Sequence, residues 1–332
     1  MRQKRFQNRI AESRFSFVIT ALLCLLIWIG AGLTITAGGW DWRELLTSPT
    51  SGAAAPILVT FPCMVLSTYL MVELNNTNVL IRIYSRMVSC TFLVLTTMVT
   101  FHFTSVRAAV VTLCAVGFYT ATFHCYQDSH ATGWIYHAFL CIGIASLCFV
   151  QVFFFLPLLW FLMTTKFLSM SLKTFCASLL GLITPYWFLA GYDLWANDME
   201  SFASHFTDMA VFSPLFDYSM LHENQVFTGI FLLLIAFTGI IHYLRNRQND
   251  RIRTQMLYET FIIVDIATIL FLLLQPQHYE VLLGIIIVNT SPLIAHFIAL
   301  TQTRWTNLAT KVLIAVAFLL TVYNLWMPSL LF

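Results

Sequence analysis

Apolar windows long enough to cross a lipid bilayer recur along this chain and leave little sequence for anything else. They fall at 15–36, 57–74, 87–103, 108–126, 176–192, 226–244, 256–274, 281–300 and 308–326. Each is about 17–25 residues, the length with which a helix rising 1.5 Å per residue traverses roughly 30 Å of hydrocarbon. Strand-like alternation of polar and apolar positions is missing. Lipid also forces every backbone group to find its partner within its own segment, so helices are predicted throughout. Composition agrees. The 332 residues are 59% hydrophobic and 10% charged, with mean hydropathy +0.80, whereas soluble domains carry about 25% charged residues. The expectation is an all-α, polytopic transmembrane helix bundle forming a single domain over 1–332, with short interfacial helices.

One stretch is ambiguous by length. Residues 134–165 form a continuous apolar run of about 32 residues, between the roughly 20 needed for one crossing and the roughly 40 needed for two. Gly143 and Pro157 are candidate break points. Charge resolves it. Cytoplasmic loops are enriched in Lys and Arg. The N-terminal segment 1–14 carries Arg2, Lys4, Arg5, Arg9 and Arg14, and a late loop, "RNRQNDRIR", carries Arg245, Arg247, Arg251 and Arg253. Residues 193–225 hold Asp193, Asp198, Glu200, Asp208, Asp217 and Glu223 and no Lys or Arg. Placing both basic segments inside and the acidic one outside requires 134–165 to cross twice, or to form two short, tilted or broken helices. About 11 crossings are therefore predicted, with 10 as the fallback. The N-terminus is then cytoplasmic and the C-terminus outside.

Smaller features follow. The first window is longer than the roughly 7–15 residues of a cleaved signal core, so it reads as an uncleaved span. Lys166 and Lys173 flank "FLSMSL", which reads as a short interfacial helix or as the ragged end of a span. Trp195, Met199, Phe202, Phe206 and Met209 lie at helical spacing, so 193–225 is expected to hold an outer amphipathic helix ended by Pro214. The eight cysteines sit mostly in apolar segments and read as packing residues.

Four places can carry chemistry. Asp265, in "FIIVDIATILF", lies about 14 Å into its span by the helical rise. A carboxylate at that depth is costly unless paired, neutralised or wetted. Asn289 and Thr290 on the next span lie at similar depth and are the expected partners. The group is either an ion or substrate site or a hydrogen-bonded clamp between helices. His242, Glu259 and His296 lie near the inner ends of three successive spans, with Arg245, Arg247, Arg251, Arg253 and Arg304 just beyond. They form either a headgroup-binding pocket or an ordinary positive-inside collar. Asp41 and Glu44, in "GGWDWRELL", stand where an acid serves as base or metal ligand in multi-pass transferases, or belong to a boundary belt with Trp40 and Trp42. The stretch "FHCYQDSHATGWIYH" holds His124, Cys125, Asp128, His130 and His137, in no spacing that matches a zinc pattern. No metal or other cofactor is expected. The basic residues flank membrane spans and form no nucleic-acid groove.

Three stretches carry a resemblance. "KTFCASLLGLITPYWFLAGY" has Gly181 and Pro185 opening a span in a G-x-x-x-P pattern. "NTSPLIAHFIALTQTRWTNLATKVLIAVAFLLTVYNLW" joins two spans through a short Arg-Trp turn. With "NNTNVLIRIYSR" they resemble a family of uncharacterised multi-pass inner-membrane proteins of Bacteroidota, over most of the chain. The resemblance implies a bacterial inner membrane and a helical bundle, and no catalytic residues. In plan, though not in motif, the chain is also similar to polyprenyl-linked glycosyltransferases. Three functions stay open. One is an envelope-biogenesis protein handling a lipid-linked glycan or anionic lipid, with a transferase-like site at Asp41 and Glu44. Another is an ion-coupled transporter centred on Asp265, with spans broken near Pro157, Pro185 and Pro292. The third is a membrane scaffold with a protein partner.

Overall fold

The computed structural model describes residues 6–36, 55–196, 199–212 and 214–330. Asp41 and Glu44 lie outside them. Among the described residues the chain is all-helical: α1 (Phe6–Glu12), α2 (Ser16–Thr36), α3 (Ala55–Asn78), α4 (Met87–Met98), α5 (Val106–Phe123), α6 (Thr132–Cys148), α7 (Leu156–Thr165), α8 (Leu172–Ala196), α9 (Met199–Thr207), α10 (Glu223–Asn246), α11 (Ile252–Leu274), α12 (Tyr279–Leu300) and α13 (Arg304–Leu330). Among the described residues seven helices are long and apolar enough to cross a membrane, or eight with the bent α1–α2 pair. This is a membrane-protein bundle.

The helix at its centre is α12. Every residue from Val281 to Ala299 is buried, as expected of a helix that is apolar all round. It packs against α4, α5, α10 and α11. Two prolines do not break their helices. Both α8 and α12 run through Pro185 and Pro292 without interruption, contrary to the broken spans expected there. Around Pro292, side chains bond the local carbonyls: Ser291 Oγ donates to Ile287 O at 2.5 Å, and Thr91 Oγ1 to Ser291 O at 3.0 Å. A break does occur at Phe149, where a 3₁₀ turn (Val150–Phe155) leads into α7 just ahead of Pro157.

Hydrogen bonds between distant segments define two ends. At the basic end, Arg253 Nη2 donates to Asn78 Oδ1 and Phe123 O, each at 3.0 Å, tying the start of α11 to the ends of α3 and α5. Lys166 pairs with Glu259 there, and Arg247 meets the same carboxylate at 3.1 Å. At the opposite end, Gln151 Nε2 donates to Asp208 O at 3.2 Å, Asn324 Nδ2 to Met98 O at 2.8 Å and Tyr279 OH to Gln225 O at 2.5 Å. The ambiguous stretch 134–165 is a hairpin that starts and finishes at the basic end. The Gln127 amide donates to Phe167 O at 2.7 Å, and Ser171 Oγ to Ser129 O at 3.1 Å.

One expected local structure differs. The segment between Lys166 and Lys173 is no interfacial helix. Leu168 takes a left-handed φ of 53°, and Ser171 and Thr174 cap each other's amides at the start of α8. Serine and threonine side chains that bond nearby backbone compete with helix continuation. Near the N-terminus, α1 packs into the bundle. Gln7, Asn8 and Ala11 of α1 are buried. Gln7 Nε2 donates to Thr301, capping the end of α12, and the Gln7 amide donates to Asn307 Oδ1 at 3.1 Å. At the other end α9 lies against α8, with Phe206 5.1 Å from the Tyr186 ring. All eight cysteines are free.

Candidate functional site

The basic end holds a cavity of about 630 Å³ between α10, α12 and the turn into α13. Ligand pockets commonly fall between about 300 and 1,000 Å³. Its lining mixes polar residues, among them Arg82, His242 and Arg245, with apolar ones such as Phe237 and Leu300. From Phe237 an apolar track continues along α10 through exposed Leu234 and Ile230, spaced three and four residues apart on one helical face.

A buried polar chain supports the inner wall. Asp250 sits in the turn between α10 and α11, and its side chain is 0% exposed. Its Oδ2 lies 3.1 Å from His296 Nε2 and its Oδ1 lies 2.9 Å from Arg82 Nε. Arg82 Nη1 also donates to Asn249 O at 3.1 Å. Three rings confine the His296 imidazole: Tyr243 at 5.2 Å, Tyr258 at 5.3 Å and His242 at 5.5 Å between centroids. Asn246 Nδ2 donates to His242 Nδ1 at 3.2 Å. His242 Nε2 and His296 Nδ1 are buried and have no hydrogen-bond partner among the described residues.

Of the candidate headgroup-binding residues, His242, His296 and Arg245 come together here. Glu259 is held apart by Lys166 and Arg247, and Arg304 is exposed beyond the turn. Sequence reasoning missed Asp250, Arg82, Tyr243 and Tyr258 as parts of the site. Asp250 is the one acid within a run of four arginines, a signal that was present but carried no spatial information.

The second candidate lies deeper. Asp265 is 0% exposed, and its Oδ2 accepts from Thr290 Oγ1 at 3.1 Å, joining α11 to α12. Asn289 faces elsewhere, its Oδ1 accepting from the Tyr119 hydroxyl of α5 at 2.6 Å. An ionised carboxylate sealed from water needs a cation, and what bonds Asp265 here is a hydroxyl. An amide oxygen accepts that hydroxyl equally well. Asp265→Asn is therefore expected to change stability by less than about 1 kcal/mol, read from unfolding of the purified protein in detergent. A loss above about 3 kcal/mol would mean that a charge is held there.

The remaining polar stretch forms ordinary loop structure. His124 stacks on Trp134 at 4.4 Å, and Asp128 Oδ1 accepts from the His130 amide at 2.8 Å. Among the described residues no group of three His, Cys, Asp or Glu side chains is placed to hold a metal. No protein family, curated protein or solved structure matches the chain. The class of protein rests on the bundle itself.

Proposed function

We propose that this is an inner-membrane protein of the bacterial envelope that binds the anionic phosphate headgroup of a lipid, or of a lipid-linked substrate, in the basic-end cavity. The observation that carries this reading is a cavity lined by both arginines and apolar side chains at the basic end. Arg82 and Arg245 meet a headgroup, while Phe237 and the apolar track of α10 receive a chain. Arginine's planar fork suits phosphate. By the positive-inside tendency the basic end faces the cytoplasm, which places the site at the inner leaflet and the N-terminus inside.

In this reading α2–α8 and α10–α13 cross the bilayer, eleven crossings in all. The short helices are compatible with that count. Helix α4 with its 3₁₀ extension covers about 26 Å, and the 3₁₀ turn with α7 about 27 Å, close to the hydrocarbon thickness.

The test is lipid binding to the purified full chain by native mass spectrometry. Phosphatidylglycerol is expected to bind at least tenfold more tightly than phosphatidylcholine. Arg245→Glu should cancel most of that preference, because no carboxylate among the described residues pairs with Arg245 and its charge is available to a ligand. Glycerol phosphate in solution should displace little of the bound lipid. Full displacement would reassign the site to a soluble phosphate, and equal binding of the two lipids would overturn the reading.

A further inference from the structure

The loop between α9 and α10, at the end opposite the basic cavity, turns apolar side chains outward. Val211, Phe212, Leu215, Phe216 and Met220 are each about half exposed or more. Apolar side chains gathered on a surface mark a place of interaction. Phe216 adds strain to exposure. Its φ of 61° lies in the left-handed region, where a bulky residue is an outlier that its surroundings must hold in place. In water such a position favours glycine. A phenylalanine ring that leaves water offsets the strain.

Two hydrogen bonds set the depth of this loop. The Phe216 amide donates to Leu274 O at 3.4 Å, and Tyr218 OH donates to Leu273 O at 2.9 Å. Both carbonyls belong to the last turn of α11, where the helix itself offers them no partner. By the helical rise Leu274 lies about 27 Å along α11 from Met256, within the roughly 30 Å of bilayer hydrocarbon. Exposed Leu270 and Leu273 occupy the same end of α11. The apolar surface runs on from there into the loop: the Phe271 ring lies 6.1 Å from Phe154, and Phe154 lies 5.6 Å from Phe212. Asp217 is the only formal charge within 211–221. Its Oδ1 accepts from the Ser219 amide at 3.1 Å and the Ser219 hydroxyl at 2.6 Å.

From this depth and continuity we infer that the loop is a second membrane contact: Phe212, Leu215, Phe216 and Met220 insert among the acyl chains of the leaflet opposite the basic end, with Asp217 at headgroup level. That leaflet is the outer one in the orientation proposed above. The surface is covered by lipid, because it continues the exposed apolar side of α11 and lies level with its last turn. The contact is independent of the basic-end cavity and rests on α11 spanning the bilayer.

The test is a depth measurement on the full chain in phosphatidylcholine nanodiscs. Leu215→Cys and Met220→Cys, each made with Cys176→Ser to remove the exposed native cysteine, carry a nitroxide label. Its collisions with oxygen, which concentrates in lipid, are compared with those of a water-soluble nickel chelate. Leu270→Cys, on the exposed apolar side of α11, and Gln248→Cys, in the exposed turn between α10 and α11, mark the two ends of the scale. The oxygen-to-nickel ratio at 215 and 220 is expected to exceed that at 248 by at least about tenfold and to lie within about threefold of that at 270. Should one loop variant fold poorly, the other gives the same reading. A ratio at the level of 248 would place the loop in water and overturn the inference. Shielding from both reagents would also overturn it, since a protein surface, such as a second copy of the chain, would then be the cover. If the label at 270 meets nickel as freely as the one at 248, α11 does not span and the depth argument falls with it. None of these results bears on the preference of the basic-end cavity for an anionic headgroup.

Discussion

Gly181→Leu is expected to abolish most of the correctly folded protein, whereas Gly191→Leu on the same helix should be tolerated. Helices α6 and α8 cross with their backbones in contact. A Cβ on Gly181 would lie 2.5 Å from Tyr136 O and 3.0 Å from Leu140 N, both backbone atoms of α6. From the other side, a Cβ on Gly143 would come within 2.9 Å of Leu182 O. Backbone cannot swing aside as a flexible side chain can. The two helices would have to part along their length, losing the Tyr136–Thr184 contact at 3.2 Å and the buried bond from Tyr186 OH to Ser146 Oγ at 2.9 Å. Inserting one methylene group into a packed core already costs about 1–3 kcal/mol, and a leucine against backbone exceeds that. Small residues at such crossings are what allow membrane helices to gain dispersion energy at close range. A Cβ on Gly191 would meet nothing within 4 Å among the described residues. Monodisperse yield in size-exclusion chromatography separates the two, and equal behaviour would show that the α6–α8 crossing does not hold the fold.

Asp250→Ala should produce the next largest loss, about 3 kcal/mol of stability. The substitution strips the carboxylate from two partners at once, leaving His296 Nε2 unsatisfied in a sealed site and Arg82 without its ion pair. Breaking a buried pair costs roughly 3–5 kcal/mol. The lower end applies because Arg82 is 43% exposed and can regain water. Detergent unfolding curves check the value. A loss under about 1 kcal/mol would mean that the Asp250 carboxylate contributes no more than an exposed ion pair.

Much of the fold was legible because its cause is local. A run of apolar residues becomes a helix in lipid whatever surrounds it, since the backbone has no other partner. The windows at 57–74, 256–274 and 281–300 correspond to α3, α11 and α12 within a few residues, except that α3 runs on to Asn78. The reading of 134–165 as a return path came from charge alone, and the chain does return to the basic end at Phe167. The structure departs from the sequence reading at two local points. Ser171 and Thr174 cap each other's amides where α8 begins, with no interfacial helix before it, and α12 runs through Pro292 without a break.

The candidate site was legible only in outline. His242, His296 and Arg245 stood out because polar groups at the end of a span are conspicuous. Asp250, the residue that orders them, did not, because an acid among arginines in a short turn reads as an ordinary loop charge. What the sequence determined by itself is the apolar solvent, the helices, and the basic and acidic segments. Each follows from composition and helical rise along a single segment. What only the tertiary structure decided is which polar groups meet: Asp265 with Thr290, Asn289 with Tyr119, and Asp250 with both His296 and Arg82. Hydrogen bonds act over about 3 Å, and no spacing along the chain specifies a contact that close between separate helices.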